Sequence, residues 1–152
     1  MSLRTEFTAA LKTAMLAKDQ PRVDAVRLIV AKMKEQDIAS RGAGKGDEIA
    51  DDQILSMLQT MIKQRRESID MYTKGGRAEL AAKEQGEITV IESFLPAQLD
   101  EAATRDAIKA AIAATGAASA KDMGKVMAEL KGKYAGQIDF GRAGPWVKEM
   151  LG

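Results

Sequence analysis

The chain has 152 residues, a formal net charge of +1, and neither cysteine nor histidine. These absences exclude disulfides, thiolate nucleophiles, cysteine- or histidine-based metal sites and the commonest general base at neutral pH. Aromatic residues make up only 4% of the chain, so the core is expected to consist of aliphatic side chains and methionine. This composition favours helices over strands.

Hydropathy and charge predict a cytoplasmic protein with no strong electrostatic preference. No apolar stretch approaches the roughly 20 residues of a membrane span. The amino-terminal segment "MSLRTEFTAALKTAMLAKDQ" contains acidic and polar residues throughout, unlike a signal peptide. From Ala120 onward there are 6 basic and 4 acidic residues, an excess that permits nucleic-acid binding without demanding it.

Apolar residues recur at three- and four-residue steps in the first part of the chain, which predicts four helices. The first helix is expected from Ser2 to about Lys18, and the second begins with Pro21 in its first helical position. The second helix is expected to fade into "ASRGAGKGDE", which is predicted to be a loop because it is rich in glycine.

The third predicted helix begins near Asp51 or Asp52, either of which could cap it. The glycine pair at 75–76 ends this helix. The fourth helix is expected from about Arg77 to Leu95, because helices usually stop ahead of a proline.

Three further helices are predicted after the hinge-like segment "LPAQLDE". Asp100 can cap the fifth helix, and Ser119 with Asp122 has capping-box spacing for the sixth. Asp139 can cap the seventh, but Pro145 would then lie inside it, so a start near Gly144 is predicted instead. The expected fold is all-α, with an amino-terminal helical domain at 1–95 and a small three-helix bundle at 96–152.

Two charged residues are predicted to face the interior of the amino-terminal helices. Arg65 shares a helical stripe with Ile62 and Ile69, and Glu92 neighbours the stripe that contains Ile91. Because an unpaired inward charge is costly, we expect an Arg65–Glu92 bridge between the third and fourth helices. A hidden functional site is the less favoured interpretation.

Two segments that could bind phosphate are interpreted as structural. In "KQRRES" at 63–68, the spacings Lys63–Glu67 and Arg66–Asp70 are typical of ion pairs on a solvated helix face. "GAGKGDE" at 42–48 lacks the Gly-Lys-Ser/Thr end of a phosphate loop and follows no strand. No pair of carboxylates stands out for acid–base catalysis, so no catalytic residue, metal or cofactor is predicted.

The sixth predicted helix carries the strongest functional signal, because Gly124 costs about 1 kcal/mol relative to alanine inside a helix. One face predicts a buried stripe of Met123, Val126, Met127, Leu130 and Tyr134. Another face aligns Lys121, Lys125, Ala128 and Gly132, with Gly124 and Lys131 beside them. These small residues could admit a neighbouring helix, or they could let a sugar–phosphate chain approach while lysines neutralise its phosphates.

Two long segments resemble a known family. "KDMGKVMAELKGKYAGQIDFGRA" is similar to the tail-domain signature of the GatB/YqeY family. "IKQRRESIDMYTKGGRAELAAKEQGEITVIESFLPAQL" resembles the amino-terminal part of its free-standing YqeY-like members. The resemblance covers nearly the whole chain and departs at "GPW", residues 144–146, where related sequences carry small and aliphatic helix formers.

The resemblance implies an all-helical protein whose carboxy-terminal bundle is shared with the tail of the tRNA-dependent amidotransferase B subunit. In that complex glutamine is the amide donor, and the tail domain contributes to tRNA recognition. Catalysis belongs to other domains of the complex, which this sequence does not match. The family label of carbon–nitrogen ligase activity with glutamine as amido-N-donor is therefore interpreted as association.

The leading prediction is a tRNA-associated binding protein that is not catalytic by itself. The residues predicted to contact RNA are Lys121, Gly124, Lys125, Lys131 and Lys133. The near-zero net charge favours the alternative of a protein–protein adaptor, and a third possibility is an accessory component of an amidotransferase. The expected partner is tRNA or another folded RNA, with a protein of the translation or amidotransferase machinery as the alternative.

Overall fold

The computed structural model describes residues 2–152, which form helices and turns without strands. The all-α prediction is therefore confirmed. Within these residues there are seven α-helices and one 3-10 turn at Ala120–Asp122: α1 Leu3–Leu16, α2 Gln20–Gly42, α3 Asp51–Lys74, α4 Ala78–Glu92, α5 Glu101–Thr115, α6 Met123–Tyr134 and α7 Phe140–Leu151. The chain divides into two compact units, Met1–Leu95 and Pro96–Gly152.

Local capping signals set most helix ends. Ser2, Asp19 and Asp100 each precede a helix and accept a hydrogen bond from a backbone N–H in its first turn. Gly76 and Gly116 follow α3 and α5 with φ of +70° and +67°, the left-handed region that favours glycine. The capping predicted for Asp100 is confirmed.

Two helix ends and one cap in the amino-terminal unit differ from the prediction. The helix α2 continues to Gly42, so only residues 43–50 connect it to α3. Asp51 and Asp52 lie in the first turn of α3 and do not cap it. Instead the side chain of Gln53 accepts a hydrogen bond of 2.9 Å from the Ala50 N–H. The helix α4 ends at Glu92, three residues before Leu95.

Pro145 lies inside α7, so the predicted start near Gly144 is wrong. The helix begins at Phe140 because Asp139 Oδ1 accepts hydrogen bonds from the Gly141 and Arg142 N–H groups in the first turn. Pro145 removes one helical hydrogen bond and crowds the carbonyl four residues earlier. Burial of Ala143 and Val147, both fully buried in the same helix, offsets this cost.

Each unit has its own apolar core. The amino-terminal core includes Phe7, whose ring meets that of Phe94 edge-on with centroids 4.9 Å apart. Buried side chains from α2, α3 and α4 complete it, among them Ile29, Ile54, Leu58, Ile88 and Ile91. The core of the carboxy-terminal unit joins α5, α6 and α7 through buried residues that include Ile108, Val126, Leu130, Ile138 and Val147.

An ion pair between Arg4 and Asp37 binds the segment 43–50 to the helices of the amino-terminal unit. Asp37 is only 7% exposed and accepts two hydrogen bonds from Arg4, at 2.9 and 2.7 Å. It also accepts the Ile49 N–H at 2.8 Å, while Arg4 donates to the Ile49 carbonyl at 3.0 Å. The hydrogen bond from Arg4 lowers the pKa of Asp37, against the opposing effect of burial.

The segment that precedes α5 is bonded to the turn between α6 and α7. The Leu99 N–H donates to the Gln137 carbonyl at 2.9 Å. The side-chain amide of Gln98 donates to the Gly136 carbonyl. Residues 98–99 are therefore part of the carboxy-terminal unit although they lie outside its helices.

Candidate nucleic-acid interface

The beginning of α6 is set by Asp122. Its Oδ2 accepts the Ala118 N–H at 3.0 Å, and this hydrogen bond is the main cause that lowers the pKa of Asp122. The Ser119 side chain makes no capping hydrogen bond. Of the predicted capping box, only the hydrogen bond to the Asp122 side chain is present, and its donor is the Ala118 N–H. The regular helix begins at Met123 after the 3-10 turn, which places Gly124 in its first turn.

The inner face of α6 agrees with the predicted stripe. Val126 and Leu130 are fully buried. Met123, Met127 and Tyr134 are partly buried and pack against the same core. The methionines of this helix therefore fill the core of the carboxy-terminal unit, as predicted.

The opposite side of α6 is open, and we name it the outer face. It consists of Gly124, Lys125, Ala128, Lys131 and Gly132, all exposed. Lys121 is exposed in the turn just before it. A Cβ built on Gly124 or on Gly132 would meet no heavy atom within 4 Å. The explanation that Gly124 admits a neighbouring helix is therefore wrong for the described chain.

The four candidate lysines differ in their surroundings. Neither Lys121 nor Lys125 has a carboxylate within 4 Å among residues 2–152. The Nζ of Lys131 lies 5.9 Å from the centroid of the Phe140 ring, a cation–π contact. The Nζ of Lys133 lies 3.1 Å from Glu129 Oε1. Lys133 is thus paired, whereas Lys121, Lys125 and Lys131 have no carboxylate within 4 Å in the described chain, although the charge of Lys125 helps to lower the pKa of Asp122.

A second group of cations lies where α5 and α7 meet, and sequence reasoning missed its arrangement. The guanidinium of Arg105 is 5.0 Å from the centroid of Trp146, and that of Arg142 is 5.9 Å from it. Arg105 also pairs with Glu101 at 3.1 Å and with Glu149 at 3.9 Å. The i,i+4 spacings of Glu101 with Arg105 and of Arg142 with Trp146 were the signals of this cluster in the sequence.

The Arg65–Glu92 bridge predicted between α3 and α4 is wrong in its partner. Arg65 Nε lies 2.9 Å from Glu87 Oε2 and 3.9 Å from Glu84. Arg65 and Glu87 are each eleven positions from Gly76, so the turn between the two antiparallel helices places them opposite each other. Glu92 is exposed and lies 3.7 Å from Arg66.

The two ion pairs predicted within or next to the segment 63–68 are absent. Neither Lys63–Glu67 nor Arg66–Asp70 comes within 4 Å in the described part of the chain, so the predicted i,i+4 pairs are not formed.

Across residues 2–152, no cluster of three or more acidic side chains could hold a metal ion. In the same range, no helix combines the length and apolarity that crossing a bilayer requires.

These observations define a class: a two-unit, all-helical protein that exposes one lysine- and glycine-bearing helix face. The family model described as Yqey-like protein matches residues 4–151. The chain therefore belongs to the YqeY-like family, as its sequence motifs indicate.

The chain is also similar to curated proteins from yeasts. It is 35% identical over 85 residues to "Altered inheritance of mitochondria protein 41, mitochondrial" from Saccharomyces cerevisiae, over 56% of this chain and 44% of that protein. The protein of the same name from Eremothecium gossypii is 41% identical over 87 residues, which are 57% of this chain and 45% of that one. The matched segments thus span less than half of these relatives.

Proposed function

We propose that this chain binds folded RNA, with tRNA as the first candidate, through the outer face of α6 and without catalysis of its own. The observation that carries the proposal is the open surface at Gly124. A Cβ added at Gly124 would meet no heavy atom of a neighbouring element within 4 Å, and exposed lysines with no carboxylate within 4 Å lie beside it. The resemblance of this segment to the tRNA-recognising tail of the amidotransferase B subunit supports the same conclusion.

The chemistry of the outer face favours contact with the RNA backbone. Lys125 and Lys131 are six residues apart, about 9 Å along the helix axis. Lys121 extends the row of charges towards the start of the helix. The outer face carries no aromatic residue on which an unpaired base could stack. Such a surface reads the shape and phosphates of a folded RNA, and not its base sequence.

A second candidate function, that of a protein–protein adaptor, is supported by apolar side chains on the amino-terminal unit. Met15 and Leu16, adjacent at the end of α1, are 52% and 76% exposed. An adaptor that uses such residues would bind its partner independently of the lysines of α6. The role of an accessory amidotransferase component predicts glutamine-dependent amide transfer only when other subunits are added.

The testing experiment measures the affinity of the purified chain for labelled total tRNA at low and near-physiological salt. Lys121→Glu/Lys125→Glu is compared with Lys83→Glu/Lys109→Glu, which makes the same charge change on exposed lysines of α4 and α5. We expect binding by the wild type and the control, with log K falling by about 0.9 per log salt for each neutralised phosphate. The first variant should lose binding while circular dichroism shows unchanged helicity.

Two results would overturn this proposal. One is equal affinity of the two double variants, because the outer face would then contribute nothing. The other is absence of binding at both salt concentrations. A partner captured in a form resistant to nuclease and high salt would then favour the adaptor.

A further inference from the structure

We propose that Glu129 marks the edge of the RNA-binding surface and keeps Lys133 out of it. This inference rests on the proposed function, because it concerns which lysines reach the RNA backbone. It changes the predicted contact set. Lys121, Lys125 and Lys131 remain contacts, while Lys133 becomes a contact only when Glu129 loses its charge.

Glu129 lies in one row of α6 between two lysines, at four-residue steps from each. Lys125 precedes it and Lys133 follows it, so both could pair with its carboxylate. The structure pairs Glu129 with Lys133 at 3.1 Å and leaves Lys125 beyond 4 Å. This choice has a physical reason, because a glutamate placed amino-terminal to lysine is the more favourable order on a helix.

The pair also faces away from the outer face. Glu129 and Lys133 line a small, shallow groove between α5 and α6, together with the alanines Ala107, Ala110 and Ala111. The Glu129 side chain is only 31% exposed there, against 64% for Lys133. The Glu129 carboxylate therefore lies where α6 packs against α5, and its ion pair with Lys133 holds the ammonium group there.

This arrangement has two electrostatic consequences for an approaching RNA backbone. The Glu129 carboxylate repels phosphates on this flank of α6, and it neutralises the cation that would otherwise attract them. An exposed i,i+4 pair is worth only about a twofold change in an equilibrium. A glutamine at position 129 should therefore release Lys133 readily, without a large effect on the helix.

The experiment compares tRNA binding by the wild type, Glu129→Gln, Lys133→Gln and the double variant across a salt series. We expect Glu129→Gln to raise affinity about twofold to threefold and to steepen the salt dependence by up to about 0.9, the value for one full added phosphate contact on a duplex. Adding Lys133→Gln should remove the extra steepness. Asp106→Asn makes the same charge change at an exposed carboxylate of α5 that has no cation within 4 Å in the described part of the chain; it is the control and should leave the salt dependence unchanged.

The outcomes separate the two proposals. If wild type and Glu129→Gln bind with the same affinity and salt dependence, the inference is overturned while RNA binding stands. If Glu129→Gln binds more tightly but with an unchanged salt dependence, the carboxylate acts by repulsion alone and the assigned masking of Lys133 is wrong. If no variant binds tRNA at low salt, the proposed function itself fails.

Discussion

Replacing Gly124 with alanine is expected to stabilise the fold and weaken RNA binding at the same time. The new Cβ would meet no heavy atom within 4 Å, and Gly124 is not among the glycines with positive φ. Alanine therefore restricts the unfolded chain without a clash. The free energy of unfolding should rise by about 0.4–1 kcal/mol. In a small domain, 1 kcal/mol corresponds to a Tm increase of about 4–8 °C.

The effect on affinity has the opposite sign because the methyl group stands on the outer face of α6. It would hold a sugar–phosphate chain away from the helix backbone at the point where the structure leaves room for it. Loss of one polar contact of ordinary strength costs about 0.5–1.5 kcal/mol. We therefore expect tRNA affinity to fall by about twofold to tenfold.

Thermal melts followed by circular dichroism and tRNA binding at fixed low salt check the two effects on the same samples. Gly86→Ala is the matched control, because Gly86 is an exposed glycine inside α4 that also has open space around it. The control should gain stability and keep its affinity. Unchanged tRNA affinity of a stabilised Gly124→Ala variant would refute the idea of close RNA approach at Gly124.

Three further predictions concern stability. The pKa of Asp37 is lowered in the folded state, so its stabilising effect is complete above its usual value of 3.8 and is lost as the pH falls below that value. Between about pH 6 and about pH 3, the free energy of unfolding measured in urea should therefore fall less for Asp37→Asn than for the wild type. An equal fall would contradict this. Pro145→Ala restores an N–H able to donate to the Gly141 carbonyl and should raise the free energy of unfolding by about 1–2 kcal/mol in urea titrations. A destabilised variant would show that Pro145 is favourable where it lies. Trp146→Ala removes the ring that Arg105 and Arg142 contact and should lower that free energy by about 2–3 kcal/mol. A loss no larger than that of Arg142→Ala would show that the ring contributes little packing.

Local patterns were sufficient to predict the helices and their inner faces. The three- and four-residue spacing of apolar residues places Val126 and Leu130 in the core, and the structure buries both. Asp100 and Gly116 bound α5 as their types predict. The position of Pro145 inside α7 could not be predicted from local cost alone, because the burial of Ala143 and Val147 depends on the tertiary fold.

Ion-pair partners could not be predicted in the same way because they depend on distant segments. Arg4 and Asp37 are 33 positions apart, and the fold of the amino-terminal unit brings them together. Arg65 meets Glu87 because of the register set by the turn at Gly76. Glu129 and Lys133 do pair at i,i+4 spacing, but Lys63 and Glu67 have the same spacing and do not pair, so spacing alone does not predict which local pairs form.

The bonds made by Gln98 and Leu99 decide how the carboxy-terminal unit should be isolated for separate study. A fragment that begins at Asp100 would keep the cap of α5 but leave the Gln137 and Gly136 carbonyls without the partners they have in the whole chain. It would also uncover the apolar surface against which Leu99 packs. An expression fragment that begins at Pro96 retains all of these interactions. The fragment should therefore start four residues before Asp100, the residue that caps α5.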